Sequence, residues 1–261
     1  MAMKFSKKIQ YLVLILIVAL LFVRFINLDA DRPFPIFSQG SDEFFKSSAA
    51  IYKVNFGTWV NDDENSGLMH APLFPVFLYP AYKIFGVSLF STRLWSVFGG
   101  ILSVIFLYLI LRRESKKLAL SASFLLAINH VFFILNRVGL PETLGIAFML
   151  ISFYVISRNE RRALNYSIAG FLAGIAFLLK VSLLYFMIAP LIFLIIQKVN
   201  KIITWKHLIY YALSGSVFLG IYFSYIQSIY PIIEPMVQIT KAVSLYYLFI
   251  PRLVMVWVNS I

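Results

Sequence analysis

Two adjacent acids, Asp42 and Glu43, are the first residues whose types and spacing could do chemistry. A carboxylate can act as a general base that takes a proton from an acceptor hydroxyl or amine. The same two acids could instead stabilise the first turn of a short helix over residues 42–54, because negative side chains are favourable at a helix N-terminus. The pair alone leaves both roles open.

His70 precedes Ala71-Pro72-Leu73 and could contact a substrate or act as a base, although the neighbouring proline also indicates a structural turn. The chain has three histidines, no cysteine and no His-x-x-x-His spacing, so a dedicated zinc site is not predicted. We expect that no cofactor is required. The scattered carboxylates leave a divalent metal open, but they are a poor case for one.

Arg137, Glu142 and Lys180 are further charged candidates. Arg137 and Glu142 flank a short turn, where Pro141 and Glu142 also suit the start of a helix. Lys180 lies in the middle of an apolar stretch, and an ionisable group at membrane depth is a functional hypothesis by default. It requires an anion, either a carboxylate or a lipid phosphate, unless the side chain simply snorkels to the surface.

The elements that must hold these residues are membrane helices. The chain is 61% apolar and only 13% charged, whereas about 25% of the residues in soluble domains are charged. Lipid must therefore be the solvent for most of the chain. The net charge of +12 does not indicate nucleic-acid binding, because the basic residues form short clusters between apolar runs and no recognition motif accompanies them.

The apolar runs predict an all-α, polytopic integral membrane protein with about seven transmembrane helices. The stretch over residues 166–196 is too long for one ordinary span, and we divide it into two short helices with Lys180 near the turn. A hairpin there places the basic clusters on either side of the stretch on the same face of the membrane. The predicted spans cover residues 9–28, 92–111, 118–135, 141–157, two helices within 166–196, and 207–226.

Charge also predicts which side of the membrane each loop occupies. The long first loop, residues 29–91, holds seven of the chain's eleven acids and is assigned to the outside. Within it, the proline-rich segment 71–86 is too short to span and is expected to be interfacial or re-entrant. The N-terminus is assigned to the cytoplasm. The basic clusters on its side are residues 112–117, 158–162 and 198–206.

These assignments predict a protein of the plasma or inner cell membrane with two regions. Residues 1–226 form a transmembrane module. Residues 227–261 form an external segment and the start of a further, incomplete membrane region. A cleaved signal peptide is the alternative for the first apolar run, but that run is too long for an ordinary signal and no small-x-small site follows it.

Five short motifs together resemble the GT-C superfamily of membrane glycosyltransferases, and within it the protein mannosyltransferase and aminoarabinose transferase branch. Each motif is weak alone, but their shared order, spacing and membrane side are specific. The resemblance covers about residues 9–200, and the chain departs from the family pattern at Ala71 and Leu179, where proline and threonine are usual. The motifs are Ser41-Asp42-Glu43, His70-Ala71-Pro72-Leu73, residues 85–94, Asn136-Arg137 with Pro141-Glu142, and Gly170 and Gly174 with Leu179-Lys180.

The resemblance implies transfer of a sugar from a polyprenyl-phosphate-linked donor to an acceptor on the external face, by a single inverting displacement. It implies that Asp42 is the general base and that Glu43 orients the loop or the acceptor. Lys180 is expected to bind the donor phosphate, with help from an arginine. The expected partners are the donor, a lipid, glycan or protein acceptor, and membrane lipids. The expected substrate-binding residues are His70, Arg93, Arg137, Glu142 and Lys180.

Two other classes of protein remain open. A transporter or lipid flippase would use intramembrane charges for a substrate path, but no internal repeat is visible and the long acidic loop is unexplained by it. A non-catalytic assembly subunit is compatible with the short length, since members of the resembled family usually continue through several more spans. The chain is expected to hold the shared N-terminal module of that family, as a fragment or as a minimal relative.

Overall fold

Helices are the regular elements of the computed structural model, and no strand occurs among the residues that it describes. Those residues are 7–30, 42–60, 65–158 and 162–228. An apolar chain in lipid must form helices, because each backbone N–H and C=O then finds its partner within the same segment. The predicted all-α class is confirmed.

The described elements follow one another without long connections after the first loop. The chain divides into two compact units, Met1–Ile221 and Tyr222–Ile261, and the packing discussed below lies within the first. The predicted boundary after residue 226 stays a prediction. The elements are α1 Lys7–Val23, α2 Asp42–Phe56, α3 Ser66–His70, α4 Phe74–Phe85, α5 Leu89–Leu111, α6 Lys116–Ile128, α7 His130–Asn136, α8 Glu142–Ile156, α9 Ala163–Leu179, a 3-10 turn Val181–Leu183, α10 Tyr185–Val199 and α11 Trp205–Ser228.

Several of these helices have the length and composition of membrane spans. Within the described part, three helices can cross a bilayer, namely α5, the helix Val181–Val199 that includes α10, and α11. A fourth span results if α6 and α7 are counted as one broken helix. Helices α8 and α9 are apolar but shorter, at 15 and 17 residues. The polytopic membrane fold is therefore confirmed, whereas the number seven stays a prediction.

Two of the predicted spans have a different shape in the structure. The first helix ends at Val23 instead of residue 28, and the chain continues through turns in which Asn27 has a positive φ of 48°. The continuous span predicted over residues 118–135 is bent by 66° between α6 and α7. Asn129 causes the break, because its side chain accepts a hydrogen bond from Phe132 N (2.8 Å) and starts a new helix there.

The predicted interruption at Lys180 is present. Helix α9 ends at Leu179, and Lys180 has extended backbone angles of φ −156° and ψ 115°. The chain then turns through Val181–Leu183, where Leu183 N donates to Lys180 O (2.8 Å), before α10 begins. The break leaves Lys180 at the end of α9 instead of inside a continuous helix.

The basic clusters that were predicted to be cytoplasmic lie at one end of the bundle. Arg113, just after α5, donates to Ser157 Oγ, just after α8 (3.0 Å). Lys7 of α1 and Lys116 of α6 line one groove at this end. At the same end, the end of α8, the start of α9, the end of α10 and the start of α11 pack together in one buried cluster. Its members include Ile156, Tyr166, Leu194, Ile203 and Leu208. The basic clusters thus share one end, while the side of the membrane that this end faces stays a prediction.

Close helix packing fixes α8 in the centre of the bundle, between α5 and α9. A Cβ atom added at Gly99 of α5 would lie 2.6 Å from the backbone of Leu144 in α8, so only glycine permits this approach. Small residues at such crossings let membrane helices pack backbone to backbone. Because Glu142 begins α8, its place is set by this packing.

Candidate active site

Lys180 and Glu142 form an ion pair at the end of the bundle opposite the basic clusters. Lys180 Nζ contacts Glu142 Oε1, and the two side chains are 26% and 24% exposed. The other carboxylate oxygen, Glu142 Oε2, is buried and has no hydrogen-bond partner among the described residues. Lys180 was expected to require an anion, and in the structure the Glu142 carboxylate is next to it. Because both side chains are about a quarter exposed, small molecules can still reach the pair.

The segment that follows His70 is attached directly to the helix break at Lys180. Leu73 N donates a hydrogen bond to Leu178 O in the last turn of α9 (3.0 Å). Ala71 and Leu179 are fully buried in one hydrophobic cluster. His70 itself is exposed at the end of α3. The structure therefore brings His70, Glu142 and Lys180, three of the predicted substrate-binding residues, to the same end of the bundle.

Glu43 and Arg93 form a second, fully buried ion pair. Arg93 Nε donates to Glu43 Oε1 (2.8 Å) and its second terminal nitrogen donates to Glu43 Oε2 (2.9 Å). Glu43 Oε1 also accepts from Gly139 N (2.6 Å), and Arg93 donates to Leu28 O (2.7 Å). The side chains are only 2% and 0% exposed. One pair thus joins α2, α5, the chain after α1 and the chain before α8.

The sequence at the start of α5 fixes the position of Arg93 opposite Glu43. Helix α5 begins after Ser88, whose side chain accepts a hydrogen bond from Ser91 N (3.2 Å), while Ser91 Oγ accepts from Ser88 N (3.0 Å). This capping box fixes the first turn of the helix. Arg93 follows in the second turn, on a face that is buried together with Ser96.

Ser96 holds the segment that leads into Glu142. Its hydroxyl donates to Leu140 O (2.7 Å) and accepts from Leu140 N (3.1 Å). Thr143 Oγ1 in turn donates to Ser96 O (3.0 Å). Together with the bond from Gly139 N to Glu43, these contacts hold both sides of Glu142 against α5 and α2.

Asp42 lies at the first residue of α2, next to Glu43, and is exposed. The predicted helix over residues 42–54 is present, extends to Phe56 and has both acids in its first turn. The two neighbouring acids thus lie in different environments. Glu43 is anchored inside the protein, whereas Asp42, in the same helical turn, is exposed.

Arg137 lies beneath the loop at the end of α1 and contacts backbone carbonyls there. Its guanidinium donates to Ile26 O (2.7 Å) and Asn27 O (2.9 Å), and also to Arg24 O (3.1 Å). A cation that bonds the carbonyls after a helix C-terminus stabilises that helix end. These contacts indicate a structural role, and the predicted role of Arg137 in substrate binding stays a prediction, as does that of the fully buried Arg93.

Sequence reasoning missed Arg24, which is fully buried directly after α1. It donates to Leu20 O (2.6 Å), to Ala127 O (2.9 Å) and to Asn136 Oδ1 (2.9 Å). These acceptors lie in the last turns of α1, α6 and α7, whose carbonyl ends carry partial negative charge. A single arginine inside the apolar run 9–28 was the available signal, because an unpaired charge is costly there.

No group of three His, Asp or Glu side chains close enough to hold a metal occurs within the ranges that the structure describes. Each of the two acids Glu43 and Glu142 is paired with a basic side chain. Glu43 is bonded to Arg93 and Glu142 to Lys180. Whether the reaction needs a metal therefore stays a prediction made from the sequence.

Comparison with known proteins identifies the family and the fold. A family model described as dolichyl-phosphate-mannose-protein mannosyltransferase matches residues 69–225. Among curated proteins, dolichyl-phosphooligosaccharide-protein glycotransferase 2 of Pyrococcus horikoshii is 36% identical over 142 residues, which cover 48% of this chain and 18% of that protein. The match to the curated protein thus includes only a small part of its length.

Two solved structures of ArnT from Cupriavidus metallidurans have the same fold. The structure bound to undecaprenyl phosphate has a TM-score of 0.62 at 16% identity and covers 81% of this chain and 40% of that chain. The apo structure has a TM-score of 0.63 at 18% identity and covers 84% and 42%. This chain spans less than half the length of these relatives. Because the family model matches more than half of residues 1–261, the chain belongs to the dolichyl-phosphate-mannose-protein mannosyltransferase family, in the GT-C superfamily of membrane glycosyltransferases.

Proposed function

We propose that the chain transfers a sugar from a polyprenyl-phosphate-linked donor to an acceptor on the external face of the membrane, with inversion at the anomeric carbon. The observation that carries this proposal is the Lys180–Glu142 pair at the break between α9 and α10. An ammonium at a helix break that is a quarter exposed suits the phosphate of a lipid donor. A soluble sugar nucleotide would not require the site to lie among membrane helices.

Donor binding exchanges one anion for another at Lys180. The donor phosphate takes the place of Glu142 Oε1 beside the ammonium, so one charge-assisted contact replaces another. Glu142 then has both oxygens available for hydroxyl groups of the sugar or of the acceptor. Oε2 is buried and lacks a hydrogen-bond partner among the described residues, and a substrate hydroxyl that reached it would supply one.

The transfer itself requires a base and a stabilised leaving group. Asp42 accepts the proton of the acceptor hydroxyl or amine as the acceptor atom attacks the anomeric carbon. The bond between that carbon and the phosphate oxygen breaks, and its electron pair leaves with the polyprenyl phosphate. Lys180 stabilises the negative charge that develops there. A single displacement of this kind forms no sugar–enzyme intermediate and inverts the anomeric centre.

The relatives support the donor class without assigning the sugar. The matched family is described by a dolichyl-phosphate sugar, the curated relative by a dolichyl-phosphooligosaccharide, and one ArnT structure contains undecaprenyl phosphate. A polyprenyl phosphate is the part that these descriptions share. The glycosyl groups differ, mannose in the family description and an oligosaccharide in the curated relative, so the proposal is limited to the carrier lipid and the reaction type.

The test is transfer of label from a radiolabelled polyprenyl-phosphate sugar in membranes that contain this chain. We expect label to leave the lipid fraction and enter an acceptor fraction, and we expect the Asp42→Asn protein, inserted at the same level, to lose that transfer. Movement of the intact lipid-linked sugar across the membrane, without transfer, would indicate a flippase instead. Equal label in the acceptor fraction of membranes without the chain would refute the proposal.

A further inference from the structure

A groove runs between the N-terminal halves of α1 and α6, at the end of the bundle opposite the Lys180 site. It has a volume of about 290 Å³. Its walls are almost entirely apolar and consist chiefly of Ile9, Val13, Leu120, Phe124 and Leu125. In a membrane protein an apolar groove between two helices suits an acyl chain.

Basic side chains surround the end of this groove. Lys117 lines the groove itself. A second groove of about 380 Å³ shares Gln10 and Leu120 with the first and is lined by Lys7 and Lys116. Three lysines therefore lie around the beginning of α1 and α6, on either side of the shared wall.

The helix directions add to this positive potential. Helix α1 begins at Lys7 and α6 begins at Lys116, so both N-termini lie beside the two grooves. The N-terminal end of a helix carries partial positive charge. A positive potential next to an apolar groove is complementary to a molecule with an anionic head group and an acyl tail.

We propose that the two grooves together bind one anionic phospholipid, which nothing in the proposed transfer reaction requires. One acyl chain lies along the α1–α6 groove, and the phosphate lies between Lys116, Lys117 and Lys7. Basic residues near a bilayer surface select anionic over zwitterionic head groups. A zwitterionic phospholipid has the same tails but no net charge, so the apolar walls alone would not distinguish the two.

The test uses the full chain purified in detergent and incubated with equal amounts of phosphatidylglycerol and phosphatidylcholine that have identical acyl chains. Lipid that remains bound after gel filtration is extracted and quantified by mass spectrometry. We expect about one phosphatidylglycerol per chain and much less phosphatidylcholine. Equal retention of the two lipids would overturn the proposal.

Matched variants separate a built site from general attraction to positive charge. The Lys116→Gln/Lys117→Gln protein should retain less phosphatidylglycerol, by about fivefold for each lysine removed. The Lys198→Gln/Lys201→Gln protein loses the same charge from the same end but from residues outside both grooves, and it should retain wild-type amounts. An equal loss in both proteins would show bulk electrostatics and refute the site.

A third variant tests the tail without changing charge. Ser121→Phe adds an aromatic ring to the α1–α6 groove, and the bound phosphatidylglycerol should fall severalfold. Leu118→Phe adds bulk to an exposed position of the same helix that does not line the groove, and it should have no effect. Unchanged retention in a folded Ser121→Phe protein would contradict the assigned tail position.

Discussion

Replacing Arg93 by methionine is expected to destabilise the end of the bundle opposite the basic clusters. The substitution removes the two hydrogen bonds to Glu43 and the one to Leu28 O, while methionine keeps most of the side-chain volume. Glu43 then remains as a buried carboxylate that is 2% exposed and still accepts a hydrogen bond from Gly139 N. Breaking one side of a buried ion pair costs about 3–5 kcal/mol, because the remaining charge is left without compensation.

A second substitution distinguishes this penalty from simple loss of contacts. In Glu43→Gln/Arg93→Met the buried charge is absent, and the amide oxygen can still accept from Gly139 N. The double variant should therefore be more stable than the sum of the single changes predicts, by roughly 1–3 kcal/mol. If the losses were additive, the two side chains would not act as a pair.

Thermal unfolding of the purified chain in detergent measures these differences. For a chain of this size, 3–5 kcal/mol corresponds to a decrease in Tm of about 6–20 °C. Arg113→Met is the control, because Arg113 is exposed, donates a hydrogen bond to Ser157 Oγ and lies over the Tyr154 ring. Loss of these exposed contacts should cost about 2 kcal/mol or less. A Tm for Arg93→Met within the range of this control would refute the reasoning.

Three further predictions concern the reaction and its orientation. Lys180→Met should raise the KM for the lipid donor about tenfold or more, since a hydrogen bond to a charged group contributes about 1.5–3 kcal/mol; unchanged donor affinity would leave Lys180 a structural residue. Asp42→Asn should lower turnover by about a hundred- to ten-thousand-fold while donor binding persists, and a normal rate there with loss in Glu142→Gln would reverse the assigned roles. In a chain that has no native cysteine, Thr58→Cys should react with an impermeant thiol reagent in intact cells and Glu114→Cys only after permeabilisation; the opposite pattern would invert the topology.

Local features of the fold could be predicted from sequence because they depend on composition within one segment. The break at Lys180 followed from an apolar run that was too long for one span and from a charge that a continuous helix would bury. The start of α2 at Asp42 followed from the preference of acids for a first helical turn. In each case the controlling residues are neighbours in the chain.

Features that depend on distant partners could not be predicted in the same way. Glu43 and Arg93 are separated by 50 residues, and Arg24 and Asn136 by 112, so no periodicity links them. The bend after α6 was missed for a different reason. Hydropathy treats Asn129 as one polar residue in a long apolar run, whereas its side chain caps the next helix through Phe132 N.

The adjacent acids Asp42 and Glu43 differ in burial, and this difference gives them different roles. Neighbouring positions on a helix point about 100° apart, so Asp42 and Glu43 cannot share one environment. Glu43 points inward, where Arg93 and Gly139 N occupy both carboxylate oxygens, and a general base must be within hydrogen-bond reach of the acceptor proton. Asp42 is exposed, so an acceptor can approach it. Because Glu43 is anchored to the segment that leads into Glu142, the same bond that excludes it from base catalysis fixes Asp42 relative to the Lys180–Glu142 pair.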